Sequence, residues 1–257
     1  MKHKLGLPLE YQQIPEYFDV HNVNEKTGAK NALIEKLLKE QQVKTVLDMT
    51  CGTGSQVFYL AERGYEVVGS DLSPSLIKIA RDKAKDAGKN ITFIEGDMRT
   101  LHVGKFDAVI TIFNAIGHLT KKDFEQALKN IRANLSDGGV YVFDIFNLQA
   151  IHDDMISDFS METKHVVNGI TIHNVQQSEI DRRNGFLTSH DHYTIFKKEG
   201  EPEILTNSFS LQIYTAEELQ AMLLTNGFEI IRQYDMEGND FVADSSLNIL
   251  TVAKKKT

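Results

Sequence analysis

The stretch VLDMTCGTGS, from Val46 to Ser55, places a short apolar run directly before a series of very small residues. An apolar run of this length predicts a buried strand. Glycines such as Gly52 and Gly54 allow a positive φ, and they let a ligand approach the backbone more closely than a Cβ atom would permit. The stretch therefore predicts a buried strand that ends at a ligand-binding turn.

Apolar segments and amphipathic helices alternate on both sides of this stretch as far as residue 149. One helix is predicted over residues 29–41, where leucine and isoleucine recur at helical spacing. The predicted strands of this part are residues 44–49, 66–71, 91–94, 108–113 and 140–146. They are mostly apolar along their whole length, which is typical of a parallel sheet covered by helices on both faces.

The pattern changes in the region 150–212, which we interpret as an antiparallel insertion. An Asn168-Gly169 pair lies between β-branched runs and is a strong hairpin signal. Two further turns are predicted at 181–185 and 197–202, as expected for a small antiparallel sheet.

Residues 213–257 return to the core and complete it. A capping box at Thr215 to Glu218 begins one more helix, and strands at 228–234 and 247–253 are predicted to pair as a hairpin. The sequence thus predicts an α/β fold with a doubly wound, Rossmann-like sheet of seven strands, a C-terminal antiparallel hairpin and a small antiparallel β insertion. The core would comprise residues 1–149, beginning with a lid, together with 213–257.

Composition and charge exclude several classes of partner. The formal net charge of -8 argues against binding to the phosphate backbone of nucleic acids. Cys51 is the only cysteine, so no intramolecular disulfide is possible. No apolar run reaches the length of a membrane span, and the first residues hold no long apolar segment, so we predict a cytoplasmic protein without a membrane partner.

Three kinds of ligand compete for the glycine turn. A phosphate-binding Walker loop requires a lysine after Gly54, and none is present. A dinucleotide fingerprint requires a third glycine where this chain has Val57, which disfavours a dehydrogenase. A nucleoside without phosphates remains, because Asp71 ends the next strand, where a carboxylate can accept hydrogen bonds from both ribose hydroxyls.

Five stretches then follow one another in an order that is similar to the class I S-adenosylmethionine-dependent methyltransferases. They are VLDMTCGTG, VVGSDLS, IEGDM, FDAVITIFNAIGHL and LSDGGVYVFD, between Val46 and Asp144. The resemblance implies S-adenosylmethionine as cofactor. It implies that Gly52 and Gly54 face the methionine part and that Asp71 binds the ribose.

The resemblance implies further contacts at the other end of the cofactor. Leu72 would pack on the adenine, Asp97 and Met98 would flank the base, and Phe113 would lie near the sulfonium. The acids Asp48, Asp71 and Asp97 suit a sulfonium cation better than they suit a pyrophosphate, although aspartates after strands are also common as helix caps and turn residues. The predicted cofactor-binding residues are Tyr11, Asp48, Thr50, Gly52, Gly54, Asp71, Leu72, Asp97, Met98 and Phe113.

The methyl acceptor is expected beside His118. The FxxIGHL pattern that ends at Leu119 is similar to that of sugar-amine N-methyltransferases, in which the matching histidine sits beside the acceptor. The stretch PEYFDVHN, from Pro15 to Asn22, resembles the lid of that family, and Tyr11, Tyr17 and Phe18 are its aromatic candidates. The predicted catalytic residues are His118 and Tyr17. The alternative for His118 is a structural histidine at the start of the loop before the next helix. The alternative for the lid aromatics is ordinary packing of a terminal helix against the core.

The insertion is predicted to roof the acceptor pocket or to form a dimer interface. His190 and His192 share one face of a strand, but no third metal ligand is identifiable, so we predict no metal site. The Asp181-Arg182-Arg183 turn fits a solvated turn better than a contact to an anionic substrate. Cys51 has no neighbouring base and is not expected to be a nucleophile.

The sequence thus predicts a methyltransferase that transfers a methyl group to a small molecule, with an amine favoured as acceptor. An O- or C-methyltransferase of the same fold is the first alternative. A non-catalytic protein that binds S-adenosylmethionine is the second. The protein is expected to be a monomer or a homodimer.

Overall fold

The computed structural model describes residues 4–256, and these form a seven-stranded sheet with helices on both faces and a separate four-stranded antiparallel sheet. The strands are β1 Thr45–Asp48, β2 Glu66–Asp71, β3 Thr92–Glu95, β4 Phe106–Thr111, β5 Leu135–Phe146, β6 Met161–Val167, β7 Ile170–Asp181, β8 Phe186–Phe196, β9 Glu203–Gln212, β10 Phe228–Tyr234 and β11 Asn248–Lys255. The fold class predicted from the sequence is confirmed.

The larger sheet has the strand order β10-β11-β5-β4-β1-β2-β3. Strands β1 to β5 pair with one another in parallel, whereas β11 pairs antiparallel with both β5 and β10. The carboxyl ends of the parallel strands therefore meet at one edge of the sheet, and the predicted C-terminal hairpin is present.

Successive residues of the central strands pack on opposite faces of this sheet. Leu47 and Val109 belong to one buried cluster, and their neighbours Val46 and Ala108 belong to the other. Because side chains alternate along a strand, a strand that is buried on both faces must be apolar at every position. This explains the unbroken apolar runs in the sequence.

Six α-helices are found among residues 4–256. They are α1 Phe18–Asn22, α2 Glu25–Glu40, α3 Ser55–Ala61, α4 Pro74–Asp86, α5 Lys121–Asn134 and α6 Ala216–Thr225. Helix α2 begins before the predicted residue 29, because Asn24 and Thr27 form a capping box. Gly28 within its first turn weakened the helical pattern there.

Strand β5 also begins earlier than predicted, at Leu135 rather than at residue 140. Its pairing with β4 is irregular between Phe106 and Ala108, and Gly138 has a φ of 74°. The glycine pair therefore forms a bulge within the strand rather than a turn before it.

The smaller sheet has the order β6-β7-β8-β9 and extends from Met161 to Gln212. Asn168 and Gly169 have φ values of 52° and 79°, which match the hairpin turn that the sequence indicates. Its inner face packs at one end on the N-terminal segment, through Tyr193 and Tyr17. At the other end, Leu187 packs on residues that flank the core sheet.

No helix in the part of the chain that the structure describes has the length and apolar character needed to cross a lipid bilayer.

Candidate active site

A cavity of about 780 Å³ opens at the carboxyl edge of the parallel strands, below the insertion and the N-terminal segment. Its size falls within the range of small-molecule sites. The lining includes these predicted residues: Tyr11, Asp48, Thr50, Gly52, Asp71, Leu72, Asp97, Met98, Phe113 and His118. Gly54 and Tyr17 are predicted residues that do not line it.

The two glycines of the turn have different roles. Gly52 has a φ of 53°, and a Cβ atom there would lie 2.8 Å from Cζ of Phe18, so the lid aromatic sits directly on this backbone. Gly54 precedes α3 with a φ of 93°, and a Cβ atom there would lie 2.9 Å from Cε2 of Phe58. Gly52 therefore faces the cavity, whereas Gly54 allows the turn to pack on the core.

Asp71 connects the end of β2 to the glycine turn. Its Oδ2 accepts a hydrogen bond from the N–H of Gly52 at 2.9 Å, and its Oδ1 accepts one from the N–H of Ser73 at 2.9 Å. Burial raises the pKa of Asp71 above its ordinary value, and the backbone hydrogen bonds oppose that effect. Each carboxylate oxygen retains lone pairs that can accept further donors from a ligand.

Asp48 is fully buried at the end of β1. It accepts a hydrogen bond from the N–H of Thr50 at 3.0 Å. Burial raises its pKa to about 7, and the nearby Asp71 adds to that shift. The free energy of ionising this carboxyl group would fall if a cationic ligand lay beside it.

Asp97 differs from these two acids because its charge is already paired. Oδ2 of Asp97 lies 2.6 Å from Nη2 of the buried Arg99, and Nη1 of Arg99 lies 3.7 Å from Oδ1 of Asp123. The sequence reasoning grouped Asp97 with Asp48 and Asp71, and it missed Arg99. The ion pair fixes the loop whose backbone carries Asp97 and Met98 to the cavity.

Phe113 follows β4 in an uncommon backbone conformation. Phe113 and Asn114 have φ values of 63° and 58°. The buried carboxylate of Asp144 accepts hydrogen bonds from both of their N–H groups, at 2.6 and 3.2 Å. These bonds hold the Phe113 ring in the cavity, where the side chain is 36% exposed. Burial raises the pKa of Asp144 to about 6.

Lys30 is a cavity residue that sequence reasoning missed. Its Nζ lies 5.3 Å from the centroid of the Phe113 ring, and its charge lowers the pKa of Asp144. Among the described residues that line the cavity, it is the one lysine or arginine. No local sequence motif identifies Lys30, because it is a polar residue of an amphipathic helix. Only the tertiary fold shows that α2 places it at the cavity.

The N-terminal segment is anchored across the glycine turn and α4. Oγ of Ser73 donates a hydrogen bond to the carbonyl oxygen of Tyr11 at 2.7 Å. Asp19 accepts a hydrogen bond from Thr53 and forms an ion pair with Lys83 at 2.6 Å. The segment is therefore held beside the cavity, which Tyr11 and Phe18 line.

His118 ends a short 3₁₀ helix, Ala115–His118, and is buried. Its ring packs between Tyr11, with ring centroids 5.4 Å apart, and Phe209 of the insertion, at 6.0 Å. Phe146 and Met161 line the cavity at either end of the chain segment that leads into the inserted sheet. The lid, the core and the insertion thus all contribute to the lining.

Tyr17 lies outside the cavity. It is fully buried in an apolar cluster with Leu9, Ile14 and residues of the inserted sheet. Its hydroxyl group lies 3.1 Å from Oγ1 of Thr163. The structure therefore does not bring Tyr17 together with the other predicted site residues. The adjacent residue Phe18 is the one that contacts the glycine turn.

The cavity suits a nucleoside that carries an amino-acid group. Thr50 and Gln56 both line it, and the buried Oγ1 of Thr50 and Oε1 of Gln56 have no hydrogen-bond partner among the described residues. Buried polar atoms are normally paired, so these two indicate a polar ligand. The backbone of Gly52 and the carboxylate of Asp71 also line the cavity.

His190 and His192 lie on the outer face of the insertion, away from the cavity. His190 contacts Ser208 and Glu179 there, at 2.9 and 3.3 Å. Within residues 4–256, no group of three or more histidine, cysteine, aspartate or glutamate side chains is arranged to hold a metal ion.

Comparison with known proteins identifies the domain. Residues 46–139 match the model of a methyltransferase domain family. The putative methyltransferase YqeM of Bacillus subtilis is 26% identical over 220 residues, which are 82% of this chain and 85% of that protein. The dTDP-3-amino-3,6-dideoxy-alpha-D-glucopyranose N,N-dimethyltransferase of Streptomyces fradiae is 33% identical over 51% of this chain and 52% of its own length.

Solved structures show the same fold over nearly the whole chain. The sugar N-methyltransferase KedS8 from Streptoalloteichus superposes with a TM-score of 0.79 at 19% identity, covering 100% of this chain and 96% of that one. The S-adenosylmethionine-bound amino pentose methyltransferase CalS10 from Micromonospora echinaspora has a TM-score of 0.71 at 21% identity, covering 95% and 97%.

The class predicted from the five sequence stretches is therefore confirmed. The domain and the fold are those of the class I methyltransferases, and the chain is an S-adenosylmethionine-dependent methyltransferase. The acceptor is a separate question, which concerns the part of the cavity that the insertion and the lid enclose.

Proposed function

We propose that the protein transfers a methyl group from S-adenosylmethionine to the nitrogen of a small amine. The observation that carries this proposal is the extent of the cavity. It continues from the glycine turn, past Phe113, to His118 and the underside of the insertion. N-methyltransferases among the relatives and structural neighbours support an amine as the acceptor.

The cofactor would lie along the carboxyl edge of strands β1, β2 and β4. Asp48, Thr50 and Gly52 would hold the methionine part, and Lys30 is placed to pair with its carboxylate. Asp71 would accept hydrogen bonds from the ribose hydroxyls. Leu72, Asp97 and Met98 would surround the adenine, with the charge of Asp97 held by Arg99 and its backbone facing the base. The bound cofactor supplies a methyl group on a positively charged sulfur, a good leaving group.

The protein's own contribution is then mostly positioning. Phe113 would lie beside the sulfonium, and its backbone is fixed by Asp144. His118, between Tyr11 and Phe209, would contact the acceptor. Holding two reacting atoms about 3–3.5 Å apart can supply roughly 7–11 kcal/mol of the barrier reduction. The cavity is lined by the N-terminal segment, the core and Met161 of the inserted sheet. This supports the proposal that the insertion covers the acceptor pocket.

A panel of acceptors tests the proposal. The protein is incubated with S-adenosylmethionine and with glycine, ethanolamine, a 3-amino-3,6-dideoxy sugar and its dTDP-linked form, and with catechol as a hydroxyl acceptor. Mass spectrometry then detects the addition of one methyl group. We expect methylation of at least one amine, at nitrogen. Methylation of catechol alone would favour the O-methyltransferase alternative and contradict the proposal.

A further inference from the structure

A cluster of buried acids lies between the N-terminal segment and the inserted sheet. Glu10 of the lid and Asp191 of β8 are each 4% exposed. Oε2 of Glu10 accepts a hydrogen bond from the hydroxyl group of Tyr193 at 3.2 Å, and Oδ1 of Asp191 accepts one from Nδ2 of Asn174 at 3.3 Å. Within residues 4–256, neither acid forms an ion pair with a lysine or an arginine.

This cluster has more acceptor oxygens than donors. Oδ2 of Asp191 and Oδ1 of Asn174 are both buried, and neither has a hydrogen-bond partner among the described residues. Burial raises the pKa of Asp191 to about 6, and the charge of Glu10 adds to the shift. Burial likewise raises the pKa of Glu10. A buried group of this kind favours a neighbouring proton or cation.

His21 connects this acidic cluster to the cavity. It lines the cavity together with the adjacent Asn22, whose side chain lowers the pKa of Glu10. The His21 ring packs on Tyr17, with centroids 5.5 Å apart. Burial lowers the pKa of His21, Asp191 raises it, and His165 of β6 lowers it. His21 is thus a half-buried imidazole that lines the cavity. Its ring contacts Tyr17, whose ring in turn lies 6.1 Å from that of Tyr193 in the acidic cluster.

We propose that His21 is the base that takes the proton from the acceptor amine, and that Asp191 is a positioning residue that stabilises its protonated form. This inference rests on the proposed amine acceptor. A nearby carboxylate favours the protonated form of an imidazole, and histidine is the side chain most often used as a base in catalysis. His118, between two aromatic rings, is then left to hold the acceptor in place.

The chemical step balances without an oxidant or a reductant. His21 takes one N–H proton from the acceptor ammonium, which frees the nitrogen lone pair. That lone pair forms the new C–N bond while the C–S bond breaks, and the electron pair of the broken bond remains on sulfur. The charge that leaves the sulfur appears on the methylated nitrogen, and the proton on His21 is released to solvent afterwards.

Nuclear magnetic resonance of labelled histidines tests the pair without any acceptor. The C2 proton of His21, assigned with His21→Gln, is titrated in the wild type, in Asp191→Asn and in Glu162→Gln. Glu162 is the matched control, because it is an exposed carboxylate on the outer face that contacts His173 at 2.8 Å. We expect Asp191→Asn to lower the pKa of His21 and Glu162→Gln to leave it unchanged. An unaltered His21 pKa in Asp191→Asn overturns the proposal.

Kinetics with the methylated amine from the acceptor panel test the catalytic role. We expect His21→Gln to lower kcat by about 10²-fold or more, the scale of general-base catalysis, with S-adenosylmethionine affinity retained in calorimetry. Removing Asp191 lowers the pKa of the base, so the acid limb of the kcat profile should move to lower pH in Asp191→Asn. Full kcat in His21→Gln, or an unmoved acid limb, contradicts the proposal.

The acceptor panel and the His21→Gln variant distinguish failure of the proposed amine acceptor from failure of the proposed role of His21. If the wild type methylates no amine in the panel but methylates catechol, the proposed function is wrong, and His21 loses its assigned proton donor. If the wild type methylates an amine and His21→Gln does so equally well, the proposed function stands and the assignment of His21 is wrong.

Discussion

The parallel sheet and the inserted sheet contribute to one cavity in different ways. The parallel sheet presents backbone groups and carboxylates whose partners are close in sequence, such as Asp48 with Thr50 and Asp71 with Gly52. The insertion acts through contacts between residues that are far apart, such as Tyr193 with Glu10 and Asn207 with the carbonyl oxygen of Leu7. The proposed cofactor side of the cavity is therefore built mostly from local turns, with Lys30 and Phe113 as exceptions, and the proposed acceptor side is built by the tertiary fold.

This difference separates two properties of the enzyme. In the proposed function, most contacts to the cofactor come from turns that each lie within a short stretch of chain. The proposed contacts to the acceptor depend on how the lid and the inserted sheet pack together. Substitutions in the inserted sheet should therefore alter the choice of acceptor while leaving the binding of the cofactor intact.

The largest loss of stability is expected for Gly54→Ala, and Gly200→Ala is its control because the two glycines have nearly equal φ values. Gly54, in the core turn, has a φ of 93°, and Gly200, in a hairpin of the insertion, has a φ of 94°. A Cβ atom at Gly54 would meet two phenylalanine rings, whereas nothing lies within 4 Å at Gly200. We expect Gly54→Ala to lower the free energy of unfolding by about 2–4 kcal/mol, and Gly200→Ala by about 1 kcal/mol.

Urea unfolding of the two variants measures this difference. Equal losses of stability would show that backbone conformation alone decides the cost, and that the packing of the core turn adds nothing. A smaller loss for Gly54→Ala than for Gly200→Ala would contradict the comparison altogether.

The second effect concerns the carboxylate at the end of β2. We expect Asp71→Ala to weaken the binding of S-adenosylmethionine by about 1.5–3 kcal/mol, the scale of a hydrogen bond to a charged group. Calorimetry measures the affinity. Asp82→Ala is the control, because Asp82 forms an exposed ion pair with Lys78 on α4 and does not line the cavity among the described residues. An unchanged affinity in Asp71→Ala would contradict the proposal that Asp71 binds the ribose hydroxyls.

The third effect is on the acceptor side. We expect His118→Ala to lower kcat/KM for the acceptor about tenfold, which corresponds to about 1.4 kcal/mol, because the acceptor loses one wall of its site. The affinity for S-adenosylmethionine should stay within about twofold. Full turnover in this variant would show that His118 only packs against Tyr11 and Phe209.

The smallest effect is expected from Tyr17→Phe, which removes one hydroxyl group from the contact between lid and insertion. Loss of the hydrogen bond to Thr163 should reduce the free energy of unfolding by about 1 kcal/mol. A fall in kcat of more than about tenfold, with stability and cofactor affinity preserved, would instead support the catalytic role that the sequence predicts for Tyr17.

The same contrast explains what the sequence could reveal. Gly52, Asp71 and the strand ends were predictable because each is defined by a local pattern of apolar and small residues. Lys30 and His21 were not assigned, because each reaches the cavity only through the packing of a helix or a lid. Tyr17 and Phe18 are adjacent aromatics, and only the fold shows that Phe18 covers the glycine turn while Tyr17 faces the insertion.

Arg99 illustrates a further limit of sequence patterns. A buried arginine can be recognised only when its acidic partners are known, and here one of them, Asp123, comes from a different part of the chain. The starts of α2 and β5 were placed too late for a related reason, since a side-chain cap and a bulge extended these elements beyond their apolar patterns.

The single thiol of the chain has a practical consequence. Cys51 lines the cavity and is buried, and burial together with Asp48 and Asp71 raises its pKa well above the ordinary value. Little thiolate is present at neutral pH, so alkylating reagents should label the folded protein slowly and at one site only. Protection of this thiol by an added nucleoside would report occupancy of the cavity directly, before any methyl acceptor has been found.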